Sequence, residues 1–431
     1  MVEAEPTSNS EEDIKEFLCE QIVTQYLDSS DFNGVAAPQL MGVVEKLPAN
    51  ATALLTELVA EGVIYANFGH EMVNPHILGF PHQSAANNLA EVQRRGEIHS
   101  AVLYPTRHTL GSMSAGDRYP GAPYSAALAL GHAQLESVFF QAEVLGRYRD
   151  DPRYDYTLDI GGEIRAQENT PLETYLTTFS IGFDRDTGND EIVVGVPLRY
   201  LHDLSPAEQS YWKSFEHDRQ DWVLHPDWVR PHLMGEFPER ISPYTAILME
   251  MNLVNEICDT IGYPKLFRNL YEGEDRPTDY GYLIRPTKRE LSNFTEQLNK
   301  LLIDNLDQKF FGKMGMPLKE ERSDGEGNTY QGQRGTLSML IDWMERTVTH
   351  DPNGLVTSAA AILREIRKTR SNVAHTLRAN EYDLATWTEQ RRLIVESYLA
   401  VRTVRQLLQS HPNAVAVTVP KELEEPRVWP F

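Results

Sequence analysis

The chain has 431 residues and a formal net charge of −23, from 40 Lys+Arg against 63 Asp+Glu. That length exceeds one ordinary core, so two or three domains are expected, and the absence of any apolar run of about eighteen residues argues against a membrane span. The acidic balance excludes a protein that coats nucleic acid along its whole surface, and two cysteines, Cys19 and Cys258, are too few for a disulfide framework or a thiolate metal site.

The opening, MVEAEPTSNSEED, has neither the basic nor the apolar region of a signal peptide, so a cytoplasmic protein is expected. From Glu11 to Leu27, the residues Ile14, Phe17, Leu18, Ile22 and Tyr26 share one helical face. Two more helices are predicted, PQLMGVVEKL from Pro38 and ATALLTELVAEGV from Ala51, the latter with Asn50 as N-cap. VIYANF then alternates like a strand. Together these suggest a winged-helix-like unit over 1–84, with a plain helical bundle as the alternative. The helix that would read DNA, ATALLTELVAEG, contains no Lys or Arg, which disfavours a DNA-binding regulator.

The segment from 85 to 285 is predicted to form a mixed, β-rich middle domain that senses or regulates. SVFFQAEVLGRY, TYLTTFSIGF and EIVVGVPLRYL are rich in Val, Ile, Phe and Tyr. The turn signal DRDTGNDE between the second and third predicts a hairpin. LHDLSPAEQSYWKSFEH, with Glu208 and Trp212, reads as a structural motif without assignable chemistry. His202, His217, His225 and His232 stand at irregular spacing and are read as structural, not as metal ligands. Asp159, Glu163 and Arg165 lack the lysine and the spacing of a metal-nuclease triad. PERISPYTAILMEMNLVNEICDTIG reads as one long helix, and the Pro- and Gly-rich GEDRPTDYGYLIRP after it as a domain boundary.

From 286 to 431 the pattern is helical. KRELSNFTEQLNKLLIDNL, GTLSMLIDWMERTV, LVTSAAAILREIRKTRSNVAH and ATWTEQRRLIVESYLAVRTVRQLLQSH predict a four-helix unit, with KEERSDGEGNTYQGQRG as a polar mobile loop. Charge is unevenly spread. Residues 286–410 hold 18 Lys+Arg against 16 Asp+Glu, a balance of +2, and the rest of the chain carries −25. A nucleic-acid site therefore belongs to this last third.

The run LREIRKTRSNVAHTLRANEYD carries an R-x4-H spacing, Arg370 to His375, with Ala374 before the histidine and Asn380 and Asp383 downstream. The same spacing class also matches Arg94…His99, Arg219…His225 and Arg405…His411, so the surrounding run carries the specificity. With GTLSMLIDW before it and EQRRLIVESYLAVRTVRQLLQSHP after it, residues 286–410 resemble the HEPN superfamily. Ser371 directly follows Arg370, where many active members have Asn, Asp or His, and Asn372 comes one place later. The resemblance implies a four-helix bundle that dimerises to build a composite cleft. It also implies a metal-independent endoribonuclease without a cofactor, acting as a toxin or anti-phage effector under a regulatory protein or phage trigger.

Elementary chemistry points the same way. RNA carries its own nucleophile, the 2′-hydroxyl, so cleavage needs a proton carrier near neutral pH and a cation for the phosphorane. Histidine and arginine suit those tasks. Arg370, His375 and Asn372 are the expected catalytic residues, and Arg364, Arg367, Lys368 and Arg378 the expected phosphate contacts. Five residues turn a regular helix by roughly 140°, so a single unbroken helix would aim Arg370 and His375 apart. Glu365 is expected to pair with Arg364 or Lys368 on a solvated face. The acidic remainder of the chain offers a means of restraining such a nuclease. The alternative is a non-catalytic dimerisation or nucleotide-binding sensor. The whole reads as a multidomain α+β protein: winged-helix-like unit, β-rich middle domain, all-α HEPN bundle.

Overall fold

The computed structural model describes residues 10–43, 51–68, 84–184, 191–218, 221–271, 276–277, 279–323, 328–373, 380–423 and 427–428, with only the backbone of 42, 43 and 370–373. The chain is a mixed α+β protein that separates into two compact units. Unit 1 comprises Met1–Phe140, Asn169–Leu176 and Gly195–Asp218; unit 2 comprises Gln141–Glu168, Thr177–Val194 and Arg219–Phe431. The expected middle segment, 85–285, is thus divided between the two, and the boundary expected near 285 falls inside unit 2. Among the described residues no helix is long and apolar enough to cross a membrane.

Unit 1 opens with α1 (Glu11–Asp28), whose N-cap Ser10 accepts a hydrogen bond from the Asp13 N–H at 3.2 Å. Glu11, Glu12 and Asp13 in the first turn complement the helix dipole. The predicted face is the buried one, from Ile14 to Tyr26. Next come β1 (Val35–Ala36), α2 (Ala37–Val43), α3 (Ala51–Ala60) and β2 (Ile64–Phe68); Asn50, the expected cap of α3, lies outside the described residues. After α4 (Ala85–Arg95), β3 (Ala101–Pro105) inserts between β1 and β2, antiparallel to both. Leu18, Ile22, Leu55, Val59 and Leu103 are fully buried between helices and sheet. Asn88 of α4, itself buried, accepts from the Ala66 N–H and donates to the Ala66 carbonyl, at 3.0 and 2.8 Å. Its amide thus satisfies backbone groups on β2 as a neighbouring strand would.

Further along unit 1 lie α5 (Pro123–Ala129) and β4 (Ser137–Gln141), the latter in the predicted SVFFQ run. The LSPAEQSYW motif is a helix, Pro206–Lys213. Its key residue is Gln209, which sequence reasoning passed over for Glu208. The Gln209 Oε1 accepts from the Tyr124 and Ser125 N–H groups at 3.1 and 3.2 Å and so caps α5.

Unit 2 begins with α6 (Gly146–Asp150) and a hairpin missed in the sequence, β5 (Tyr154–Leu158) with β6 (Gly161–Ala166). A Cβ at Gly162 would lie 2.0 Å from the Phe179 ring, so the close approach requires glycine. The sheet continues through β7 (Phe179–Asp184) to β8 (Ile192–Pro197), with β9 (Trp222–Leu224) also on β7. The predicted turn at 185–190 lies outside the described residues. The turn residue Asp159 accepts from Ser242 Oγ, Thr245 Oγ1 and Arg276 Nη1 at 2.7, 3.0 and 2.8 Å. Burial pushes its carboxyl up, but Arg276 and the hydrogen bonds outweigh that and hold it below the usual range. Glu163 and Arg165 pair with each other. This is a structural node, not a nuclease triad.

Helix α7 (Pro243–Thr260) starts at the N-cap Ser242. It is followed by α8 (Lys288–Leu302), β10 (Lys319–Ser323), β11 (Thr329–Gln333), α9 (Thr336–Thr347), α10 (Leu355–Val373) and α11 (Ala385–Gln409). The expected mobile loop is therefore an antiparallel hairpin, Lys319 opposite Gln333. Nearly every side chain in it is polar and exposed, so no apolar alternation announced it. The bundle also gains a helix: α11 packs on α7, α8 and α10, and α9 and α8 pack on α10. Helix α7, placed by sequence in the middle domain, packs on α11 and buries Ile247, Met251, Val254 and Ile257.

Candidate functional site

Helix α10 carries the sequence-predicted site. Its start is fixed by Asp351, whose carboxylate accepts from the Thr357 N–H and hydroxyl, both at 3.1 Å. Val356, Ala359, Ala360, Ile362, Leu363 and Ile366 form the buried face. Arg364, Arg367 and Lys368 lie on the opposite, exposed side. Arg367 Nη1 meets Asp304 Oδ1 at 2.8 Å and Asn299 Oδ1 at 3.3 Å, and Arg364 approaches Glu345 at 3.9 Å. Glu365 pairs not with Arg364 or Lys368 but with Arg392 of α11. Lys368, three residues on, lies close enough on the helix for an ion pair, but α11 brings the Arg392 guanidinium to that flank, and Glu365 pairs there instead. Arg370 and Asn372 occupy the last described turn of α10, as backbone only, and His375 and Arg378 lie outside the described residues.

The described chain resumes at Asn380 and is pinned to the entry of α8. The Lys288 N–H donates to the Glu381 carbonyl at 3.1 Å, and the Asp383 N–H to the Pro286 carbonyl at 2.8 Å. The Asn380 Oδ1 accepts from the Arg289 N–H at 3.3 Å. Thr287 caps α8 through the Glu290 N–H at 3.3 Å, and the Glu290 carboxylate reaches back to the Arg285 N–H at 2.9 Å. The sequence T-K-R-E thus behaves as a variant of the capping box, its glutamate bonding two residues earlier than usual.

Above this entry lies a cleft of about 410 Å³. Arg149 and Tyr156 form one side, the stretch Asp279–Arg285 the floor, and α8 with Asn380 the other side. Arg149 is committed to Glu290, with Nη1 3.0 Å from Oε1. Arg285 makes only a 3.9 Å approach to Glu290, and Arg289 has no ion-pair partner among the described residues. The cleft therefore presents two available guanidinium groups. Gly146 makes room for one of them, since a Cβ there would sit 2.8 Å from Arg285 Nη2. Asp279 adopts a left-handed φ of 60°, a conformation that Asp tolerates better than most residues. Burial pushes its carboxyl up while a hydrogen bond from Tyr156 pulls the other way.

The sequence did not anticipate this cleft. Its walls come from segments more than a hundred residues apart, and only Asn380 belongs to the run that carries the HEPN resemblance. Among the described residues no group of three or more His, Cys, Asp and Glu is placed to hold a metal ion. His225 is buried and caps the turn at Asp227, and His232 stacks on Trp228 with ring centroids 4.7 Å apart. Neither a protein-family model, nor a curated protein, nor a solved structure matches this chain.

Proposed function

We propose that the chain is a metal-independent endoribonuclease of HEPN type, with its helical bundle in unit 2. The observation that carries this reading is Asn380. It stands five residues beyond His375 in the chain and lines a cleft that presents Arg285 and Arg289. A phosphodiester held by those guanidinium groups would meet Asn380, five residues along the chain from His375. The 2′-oxygen attacks the adjacent phosphorus as the bond to the 5′-oxygen breaks, leaving a 2′,3′-cyclic phosphate and a 5′-hydroxyl. His375 takes the 2′-hydroxyl proton or delivers one to the departing 5′-oxygen, water carrying the other proton, and Arg370 balances the charge of the phosphorane. Asn372 orients the pair, and Arg364, Arg367, Lys368 and Arg378 supply the approach. Two copies joined through the bundle would complete the cleft. The order of helices and strands in unit 1, with β3 between β1 and β2, supports a winged-helix-like module there.

The test is cleavage of total RNA by the full-length protein in EDTA, wild type beside His375→Ala and Arg370→Ala. Both variants should lose about 10²–10³-fold in rate. Wild-type activity that vanishes in EDTA, or that survives both substitutions, would sink the proposal. One observation favours a second reading, a non-catalytic assembly module: Asp304 already pairs with Arg367 at 2.8 Å. A wild type silent on RNA yet dimeric in solution would favour it.

A further inference from the structure

Helix α8 shows three different faces. Phe294, Leu298, Leu301 and Leu302 are buried in the bundle. Glu296 and Lys300 form an i,i+4 ion pair at 2.9 Å on the solvent side, which is how an exposed helix face is ordinarily dressed. The cleft face differs from both: Arg289, Asn293 and Gln297, at four-residue intervals, all line the cavity. Four residues advance a helix by about 6 Å, so the row runs about 12 Å from its guanidinium to its last amide. Asn380 lies opposite its start, fixed by its bond to the Arg289 N–H.

Primary amides are an unusual choice for this position. Each carries a donor pair and an acceptor side by side, the pattern that complements the edge of a nucleobase. Beside them Leu283 and Ile284 supply apolar lining against which a flat ring can rest. The volume, about 410 Å³, lies in the range of sites for one small ligand. Of the carboxylates of the cleft, Asp150 and Glu290 pair with Arg149 and that of Asp279 is pushed up by burial, so Arg285 and Arg289 with the amide row match a phosphate joined to a base.

We propose that Asn293 and Gln297, with Asn380, read the base of one nucleotide of a single RNA strand while Arg285 and Arg289 hold its phosphate. The cleft is then the specificity site of the protein. The choice of RNA as ligand rests on the ribonuclease reading above; the base-reading geometry does not. Phosphate contacts position a strand without distinguishing sequences, whereas amide contacts to base edges do distinguish them.

The experiment measures binding apart from cleavage. Four single-base oligonucleotides, each fully 2′-O-methylated so that no nucleophile is present, are titrated against the full-length protein in EDTA by fluorescence anisotropy. Wild type should bind one or two of the four at least 10-fold more tightly than the rest. Asn293→Ala and Gln297→Leu should flatten that preference to within about threefold, and Arg289→Ala should weaken all four alike. Equal binding of the four by wild type, or a preference untouched by both amide substitutions, overturns the proposal. Free nucleoside monophosphates that bind as tightly as the oligonucleotides, with the same preference, overturn its assignment to a strand. A preference that vanishes in the variants while unmethylated RNA stays uncut sustains base reading and counts against the nuclease alone. Far-UV circular dichroism of each variant, unchanged from wild type, excludes misfolding as the cause.

Discussion

Two arginines of α11 meet glutamates in opposite surroundings. Arg405 faces Glu250 of α7, Nε to Oε2 at 2.7 Å and Nη2 to Oε1 at 3.1 Å, with side chains 6% and 0% exposed. Its remaining nitrogen donates to Gln409 at 2.6 Å. Arg392 meets three glutamates, Glu365, Glu389 and Glu396, yet every group there is more than a third exposed. The cluster with more ion pairs contributes less. Water and salt screen the Arg392 group, whereas the Arg405 fork has replaced its hydration with fixed partners. The lesson carries to the cleft, where half-exposed Arg285 and exposed Arg289 can give up water to an incoming phosphate at little cost to the fold.

The largest effect that can break this comparison comes from separating the buried pair. Arg405→Ala should cost about 3–5 kcal/mol, because Glu250 is left buried and charged. Urea unfolding reads this directly, and a loss below about 1 kcal/mol would make the fork dispensable. The double replacement Arg405→Met with Glu250→Leu should recover most of the loss.

A buried group without such a fork sharpens the point. Burial lowers the His225 pKa to about 4, against an opposing pull from Asp227 and Asp159 and a reinforcing push from Arg240. The unfolded chain takes up that proton near pH 6.5 and the folded chain does not. The associated stability is therefore full above about pH 6.5 and lost as pH falls toward 4, at most about 3 kcal/mol. His225→Asn, which keeps a capping acceptor, should reduce the fall in urea midpoint between pH 7 and pH 5. An unchanged fall would locate the acid sensitivity elsewhere. The smallest effect is expected at the exposed cluster. Arg392→Ala should change stability by about 1 kcal/mol or less, and by less still in high salt; a loss as large as that of Arg405→Ala would dissolve the contrast.

Periodicity made the helices legible. Ile14 to Tyr26, the long helix after Pro243, and α8 through α11 all lie where the 3.6-residue repeat placed them. It did not reveal which core each helix enters. Helix α7 looked like the end of a middle domain because its partner α11 is distant in sequence, and no local signal reports the Glu250–Arg405 fork. The hairpins at 154–166 and 319–333 were missed for separate reasons: the Gly161-Gly162 turn signal of the first, which opens β6 just after Asp159 and Ile160, was passed over, and the second is polar on both faces. Of the candidate site, the sequence offered only the motif run, through a resemblance. The cleft was not legible, because Arg149, Tyr156 and Arg285 read locally as an unremarkable strand and loops. The polar row of α8 was visible as spacing but had no cavity to face until the chain was folded.

The distance in sequence between Glu250 and Arg405 also sets a schedule. They are 155 residues apart, and a ribosome adding about 5–20 residues per second needs roughly 8–30 s to make the second after the first. Throughout that interval α7 exists without the helix that covers it, its apolar face open to chaperones and to other nascent chains. Unit 2 can close only after α11 has emerged. A chain that ends before α11 leaves the apolar seam of α7 unburied.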